Sequence, residues 1–360
     1  MPWVRWLRPI NGAGMRARLR RLWRRRQARA LPAQRAQVGL GLLGALLALS
    51  ALLWLGRQAA PLQAQSGYSC SPDYHIDVTL PTGARWDLCW EPRSLEGVVL
   101  HDIHYAPPGG TRRLVLASAG LAQIHVPYDD DGARFHDVSD FGLGGRFLLD
   151  LSAEECPDGQ RLSHGNKRVL CLQTPRRGFA YKYYGRQQQG YALNLFSISA
   201  SGDYNYINAW RFTDDGVIEP SIGAAGKLQR YGADERYGWR TAPDRVPVSH
   251  THNYYWRLDF DIDGQADDLV EEIEFLPEDD GRKFAISVEP IVEEAGRSLS
   301  PTTMRSWRVR DKTIVNADGH SISYHLDPIR NGHDFVGPDF EPWTHHDLYV
   351  TAMRGCERFT

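Results

Sequence analysis

Cysteine is scarce in this chain: 5 of 360 residues, with no Cys-x-x-Cys pair and no histidine at zinc-finger spacing. This scarcity argues against a structural zinc site built on cysteine, so disulfides are the better interpretation. Cys156 and Cys171 flank a loop between two strand-like runs, residues 146–151 and 167–172. Closing a loop of this length stabilises a protein by about 3 kcal/mol in the chain-entropy model. Cys70 and Cys89 form a second candidate pair, which leaves Cys356 over.

Long stretches with a helical hydrophobic period are also rare, and no repeat of fixed length is visible, which disfavours a solenoid or a propeller. Short runs with alternating apolar residues take their place, bounded by glycine, proline and aspartate turns. Examples are residues 97–105, 114–117, 124–126, 191–198, 254–262 and 284–288. The sequence therefore predicts a mainly β protein, a large antiparallel β-sandwich, and its 42% apolar residues suffice for a sizeable core.

Acidic residues are absent from the first 35 positions, which hold 11 arginines. Of the 42 basic residues 31 therefore remain for the rest of the chain, against 44 acidic ones, a net charge of −13. Residues 38–56 then run without a charge, and 19 residues span about 28 Å as a helix, enough to cross a bilayer. A buried core helix is the alternative, disfavoured because the run has no polar face.

The arginine excess before this run predicts an N-terminus inside the cytoplasm and a domain outside it, periplasmic or extracellular. Leu62-Gln63-Ala64 fits a signal-peptidase site poorly, so we expect a membrane anchor that is retained. Beside a membrane span, the arginines are expected to set topology and contact anionic lipid, and not to bind nucleic acid. The predicted organisation is a basic segment at 1–37, the transmembrane helix at 38–56, a linker with a short disulfide-bearing β segment at 57–94, and a large domain at 95–360.

His250 and His252 are two residues apart, so on a strand both imidazoles point to one side and could bind one metal ion. Chance pairs of this kind are common in a chain with 13 histidines. A cupin-type site would add a nearby glutamate, but the acids up to Gly264 are all aspartates. The pair alone therefore leaves a metal site and a chance pair both open.

Tyr204 and Tyr206 alternate on a predicted strand, where aromatic pairs more often pack a sheet than do chemistry. The residues around them form a longer pattern, comprising Tyr204, Tyr206, Ile207, Trp210, Phe212, Asp215, Gly216, Ile218, Glu219, Gly223 and Gly226. This pattern closely resembles the catalytic domain of copper amine oxidases. The resemblance continues at residues 97–105, 119–128, 135–144, 306–309, 316–328 and 346–351, and so covers the chain from about residue 95 to its end.

The resemblance implies that Tyr204 is oxidised by copper(II) and dioxygen to a topaquinone, with His250 and His252 as copper ligands. A primary amine would condense with the quinone, and Asp137 would remove a proton from the adjacent carbon as the catalytic base, with Tyr128 beside the cofactor. Burial would supply the modestly raised pKa that such a base needs. The products would be an aldehyde, ammonia and hydrogen peroxide. No feature argues for a nucleotide, flavin or haem, and the sequence does not identify the amine.

Further expectations rest on the same resemblance. Cys156 and Cys171 fall where the family has a disulfide, and a homodimer is expected. Asp259 and Asp261 match a peripheral calcium-type site, with solvated surface acids as the equal alternative.

Two departures from the family pattern affect the proposed site. Asp203 precedes Tyr204 where the family has asparagine, and Asn205 follows where the family has an acid, so a charge lies next to the ring. The family's third copper histidine comes from a strand beyond the segment that ends here at Thr360, which predicts a domain that is short at its C-terminus, with exposed sheet edges. A non-catalytic, membrane-tethered binding or structural module that lacks a complete copper site is therefore the alternative function.

Overall fold

The computed structural model describes residues 70–264, 268–279, 281–329 and 337–353. Strands dominate these residues, and every strand pair is antiparallel, which confirms the predicted fold class. None of the helices in these ranges is long and apolar enough to cross a membrane. Residues 38–56, for which the sequence predicts a span, lie outside the described residues.

Twenty strands and one short α-helix make up the regular structure of this part of the chain. The first strands are β1 (His75–Thr79), β2 (Arg85–Arg93), β3 (Gly97–Ala106), β4 (Arg113–Pro127), β5 (Arg134–His136), β6 (Gln160–His164), β7 (Lys167–Gln173), β8 (Arg176–Tyr183), β9 (Arg186–Ser201) and β10 (Tyr204–Thr213). The others are β11 (Ile218–Gly226), β12 (Tyr231–Gly232), β13 (Val246–Pro247), β14 (Asn253–Phe260), β15 (Leu269–Pro277), β16 (Phe284–Ile291), β17 (Ala295–Arg297), β18 (Ser306–Val315), β19 (Ser321–Leu326) and β20 (Leu348–Val350). Helix α1 covers Asp137–Asp140, and single 3-10 turns cover Pro72–Tyr74, Gly145–Phe147, Glu235–Tyr237, Ile262–Gly264 and Pro342–Thr344.

Two six-stranded sheets form the sandwich. The first has the order β1-β2-β3-β4-β14, with β5 on the end of β4, and the second has the order β11-β10-β9-β7-β6, with β8 on β9. A further sheet has the order β16-β15-β18-β19. The first sheet crosses the predicted domain boundary at residue 95, because β2 pairs with β3 over its length.

The main core lies between the two large sheets and is rich in tryptophan. Trp86 on β2 is fully buried against Phe212 on β10, with ring centroids 5.0 Å apart, and its indole nitrogen donates to the Thr213 carbonyl at 2.9 Å. Trp210 on β10 meets Trp256 on β14 edge-on at 4.9 Å. Because a buried indole N–H needs an acceptor, the hydrogen bond of Trp86 to Thr213 also constrains how the two sheets align.

The strand predicted for residues 146–151 is wrong: a 3-10 turn at Gly145–Phe147 is followed by irregular chain with one isolated bridge. This segment forms hydrogen bonds with two different strands. The Leu149 amide donates to the Ile198 carbonyl on β9, and the Leu151 amide donates to the Arg168 carbonyl on β7. A segment that alternates between partners cannot form a continuous ladder.

Both predicted disulfides are present, Cys70–Cys89 and Cys156–Cys171. The second bond lies in a small apolar cluster with Leu151. Cys356 lies outside the described residues.

Candidate active site

Tyr204 is the first residue of β10, directly after a two-residue hairpin turn formed by Gly202 and Asp203. Gly202 has a φ of 58°, as the first position of a type II′ turn requires. On the other side Tyr204 pairs with Gly226, where an added Cβ would lie 2.2 Å from the Asp203 carbonyl oxygen. Because Gly226 has no side chain, β11 can approach the start of β10 this closely. The close contact positions Tyr204 at the end of the sheet.

His250 and His252 lie just before β14, and not within a strand as predicted. His250 makes an isolated bridge with Tyr128, and its ring stacks on the Tyr128 ring at 4.6 Å. The two imidazole centroids are nevertheless 5.0 Å apart. The structure therefore brings together the two histidines that the sequence pairs, through their attachment to the end of β4.

The hydroxyl of Tyr204 lies 3.0 Å from Nε2 of His250. On the other side of the ring, Nδ1 of His250 is 3.4 Å from the Val248 carbonyl oxygen, which can only accept. In its neutral form this imidazole thus carries its proton on Nδ1 and accepts a hydrogen bond from the Tyr204 hydroxyl at Nε2. This tautomer directs a nitrogen lone pair of His250 at the phenol.

Tyr206 connects His252 to Asp137, a role that the sequence did not reveal. Its hydroxyl donates to Oδ2 of Asp137 at 2.5 Å and also lies 3.0 Å from Nδ1 of His252. A phenol has one proton to give, so its oxygen accepts from Nδ1–H of His252, whose Nε2 keeps a lone pair. Burial, and after it the electrostatic effect of the neighbouring His250, lowers the pKa of His252 to about 4. The His252 ring is therefore neutral at pH 7.

Asp137 is the first residue of α1 and is 6% exposed. The buried side chain of Gln123 on β4 positions this helix, because its Oε1 accepts from the amides of Ile124 and Val138 and its Nε2 donates to Ser139. Burial raises the pKa of Asp137 above its usual range, and the hydrogen bond from Tyr206 partly opposes the rise. A raised pKa is what proton transfer near neutral pH requires of a carboxyl group.

The Tyr128 ring is buried between His250 and Phe135. Burial, with the charges of Tyr204 and Asp137, raises the pKa of Tyr128 to about 12, so it stays protonated. Within the described residues its hydroxyl is buried without a hydrogen-bond partner. A buried hydroxyl without a partner lowers the stability of the fold unless a ligand bonds to it. The Tyr128 hydroxyl is therefore a hydrogen-bond donor that is available beside Tyr204.

The negative charge of Asp203 affects the pKa of the neighbouring Tyr204. Burial raises the pKa of the Tyr204 phenol first, and the charges of Asp137 and then Asp203 raise it further. Asp203 itself is exposed in the turn. The aspartate thus acts on Tyr204 through its charge, in the direction that disfavours the phenolate.

A small cleft opens beside Tyr204, with Asp137, Tyr128, His252 and the apolar rings of Phe135 and Phe141 among its walls. Its volume of about 10 Å³ is room for about one water molecule. A cavity of about 260 Å³ elsewhere is lined by Asp259 but by none of the residues around Tyr204.

The donor set fits a copper ion in part. Two imidazoles and a phenol are available, and imidazole nitrogen is a ligand that copper prefers. In the described ranges, however, the pair has no third histidine, cysteine or carboxylate whose donor atom completes a group within 4.8 Å. Nor do Asp259 and Asp261 form such a group, although one oxygen of Asp261 is buried without a hydrogen-bond partner among the described residues. The calcium-type site therefore stays a prediction.

Replacing Tyr206 by phenylalanine should shift the acid limb of the pH profile of turnover to higher pH. The Asp137 carboxylate then loses the donor that stabilises its ionised form, so its pKa rises further. For the reaction that the family resemblance implies, the measurement is kcat/KM for amine-dependent peroxide release against pH. Tyr105→Phe is the matched control, since it removes a hydroxyl that donates to the Asp214 carbonyl at 3.0 Å, away from the site. An unchanged profile in Tyr206→Phe would refute the role given to this hydroxyl.

Comparison with known proteins matches residues 82–360 to the family model "Copper amine oxidase, enzyme domain". A primary amine oxidase of Klebsiella aerogenes is 25% identical over 328 residues, which cover 76% of this chain and 43% of that protein. A peroxisomal copper-containing diamine oxidase of Nicotiana tabacum is 22% identical over 332 residues, with 80% and 42% covered. The chain thus spans less than half the length of either relative.

The fold has a counterpart among solved structures. The copper-containing benzylamine oxidase of Hansenula polymorpha superposes with a TM-score of 0.65 at 19% identity, covering 80% of this chain and 51% of that one. At this level of identity the superposition shows a shared fold.

Proposed function

Since the chain belongs to the copper amine oxidase family, we propose that it oxidises a primary amine with dioxygen and water to an aldehyde, ammonia and hydrogen peroxide. The observation that supports this most is the 3.0 Å contact between the Tyr204 hydroxyl and Nε2 of His250, beside a second imidazole in the same tautomer. A phenol that must be oxidised in place needs metal donors at its oxygen, and this contact provides one.

His250 and His252 would hold copper through their Nε2 atoms, since each keeps its proton on Nδ1. The bound copper, with dioxygen, would supply the oxidation of the Tyr204 ring to a quinone, and the quinone would supply an electrophilic carbonyl for the amine. The Val248 carbonyl and the Tyr206 hydroxyl fix the two imidazoles, as acceptors behind a metal ligand generally do.

Asp137 would act as the general base of this reaction. Its Oδ2 is engaged by Tyr206, which leaves Oδ1 to accept the proton from the substrate carbon next to nitrogen. Asp137 lines the same cleft as Tyr204, and its burial raises its pKa, the direction that favours a general base working near neutral pH.

Tyr128 would donate a hydrogen bond to an oxygen added to the Tyr204 ring and so hold the ring in one orientation. Its buried hydroxyl, which has no partner in the part of the chain that the structure describes, and its position against His250 support this role. The apolar rings of Phe135 and Phe141 would exclude water from the reacting carbon.

A non-catalytic module of the same fold is the second candidate. It is favoured by the lack of a third donor around His250 and His252 in the described ranges. Two imidazoles alone bind copper more weakly than three would, and a lost metal would leave Tyr204 unmodified. The amine, a homodimer and the membrane anchor at residues 38–56 remain proposals in either case.

Loading the full chain with copper in air separates the two candidates. The enzyme is expected to develop a visible quinone absorption and then to release peroxide when a primary amine is added. A loaded chain that stays colourless and inert would leave the non-catalytic module as the function. A sample handled in the same way without copper is the control.

A further inference from the structure

Two histidines and a glutamate converge at a second place, on the strand pair β4–β5. His125 on β4 and His136 on β5 are directly opposite each other in the ladder, with their rings stacked at 5.5 Å. Glu341, the residue before the 3-10 turn Pro342–Thr344, brings its carboxylate to both rings. One oxygen is 3.6 Å from Nε2 of His125 and the other is 3.0 Å from Nε2 of His136.

The two oxygen–nitrogen separations are close to those between ligands of a tetrahedral metal ion. Zinc binds imidazole nitrogen and carboxylate oxygen at about 2.0–2.2 Å, which places neighbouring ligand atoms about 3.3 Å apart. All three donors lie within 4.8 Å of one another, and His125 and Glu341 are almost completely buried. We propose that His125, His136 and Glu341 bind a divalent transition-metal ion of the zinc class, with a fourth position for water.

Nε2 of His125 lies between Arg134 and Glu341, at the side of the ring that a metal ion would meet. Nη1 of Arg134 lies 3.5 Å from Nε2 of His125, and a guanidinium has only donors to offer. The nitrogen that faces Glu341 is therefore an acceptor, as a metal ligand must be.

A carboxylate behind His136 supports the same interpretation. Nε2 of His136 donates to Glu341 here, so metal binding requires the proton to move to Nδ1. Oδ2 of Asp140 is 3.8 Å from Nδ1 and already accepts from the His136 amide at 2.9 Å. A carboxylate that accepts from the second ring nitrogen is the usual partner of a metal-bound histidine.

Glu341 is held in place before any ion arrives. Its amide donates to the Pro338 carbonyl and its carbonyl accepts from the Thr344 amide and hydroxyl. The turn closes so tightly at Gly337 that an added Cβ would lie 2.6 Å from Oε2 of Glu341. A buried carboxylate that is fixed by its backbone costs little entropy on binding a metal.

Arg134 is the cation that now neutralises Glu341, through Nη1 at 3.1 Å from Oε2. A metal ion would compete with it, and Nη2 of Arg134 also lies 3.8 Å from the exposed Asp131, a partner to which it can turn. An ion at this place would fasten the turn at residues 337–345 to β4 and β5, next to Asp137.

Zinc titration tests the site. In a His250→Gln/His252→Gln background, which silences the other imidazole pair, isothermal titration calorimetry should show one zinc ion per chain. Adding His136→Gln or Glu341→Gln should weaken binding at least 100-fold, and Asp140→Asn should weaken it about 10-fold through the lost partner of the imidazole. Arg134→Met should strengthen binding, because the competing cation is removed.

The sign of the Arg134→Met effect separates a metal site from a buried ion-pair network. A network without a metal function predicts no zinc binding, or binding that Glu341→Gln leaves unchanged, and either result overturns the proposal. Circular dichroism of each metal-free variant shows that it is folded. If the double-variant background does not fold, cobalt(II) binding to the otherwise unaltered chain is measured by absorption. This chain should bind one more cobalt(II) ion than its Glu341→Gln variant. Quinone formation at Tyr204 is a separate readout, so this proposal can fail while the proposed function stands.

Discussion

Replacing Tyr204 by phenylalanine should abolish the quinone absorption on copper loading and reduce amine-dependent peroxide release to background. The phenyl ring keeps the packing of Tyr204, which meets the Tyr206 ring at 6.2 Å and the His252 ring at 5.0 Å. What disappears is the oxygen that contacts Nε2 of His250 and that activates the ring toward oxidation. The measurement is a visible spectrum during aerobic copper loading, followed by a peroxide assay with a primary amine.

Tyr105→Phe serves as the control for this change as well, since it removes a hydroxyl at the far end of the sandwich and should leave colour and turnover intact. Copper content is measured in both variants, because loss of metal would by itself remove the colour. A Tyr204→Phe chain that binds copper and still becomes coloured would show that another residue carries the cofactor, and the proposed function would be wrong in its central part.

Replacing Asp137 by asparagine should lower amine turnover about 10²–10⁴-fold while the quinone still forms. An amide cannot take up a proton, but it can still accept the hydrogen bond from Tyr206, so the link to His252 is preserved. In the unaltered chain turnover should fall as the pH falls through the raised pKa of Asp137, because the carboxylate must be ionised to act as base. This acid limb should be missing from the residual activity of the variant.

The exposed Asp150 provides a matched change, since its carboxylate accepts from the Arg168 amide away from the site. Asp150→Asn should leave both colour and turnover unchanged. If Asp137→Asn loses quinone formation and turnover together, Asp137 is needed to build the site and its assignment as base has no support. Rates of colour formation and of steady-state peroxide release therefore have to be measured on the same samples.

Much of the fold could be read from local patterns. Alternation over residues 97–105 predicts β3, and Asp214-Asp215-Gly216 predicts the turn between β10 and β11, because period and turn chemistry are local properties. Local pattern also misleads: residues 114–117 and 124–126 form two apolar runs, yet both belong to the single strand β4. Residues 146–151 have a strand-like composition, but two different strands accept their amides.

The sequence by itself determined the β class, both disulfide pairs, the family resemblance and the grouping of Tyr204, His250 and His252. The β class and the disulfide pairs follow from residue type and short spacing, which the chain carries wherever it folds. The grouping follows from the family resemblance, since Tyr204 and His250 are 46 residues apart. Only the tertiary structure decided that Tyr206 joins Asp137 to His252. Tyr206 is 69 residues from Asp137 and 46 residues from His252 in the sequence. It also decided which imidazole nitrogens keep a lone pair, and it brought Glu341 to His136 across 205 residues. Such contacts depend on how strands from distant parts of the chain are arranged in space, and no local period encodes that arrangement.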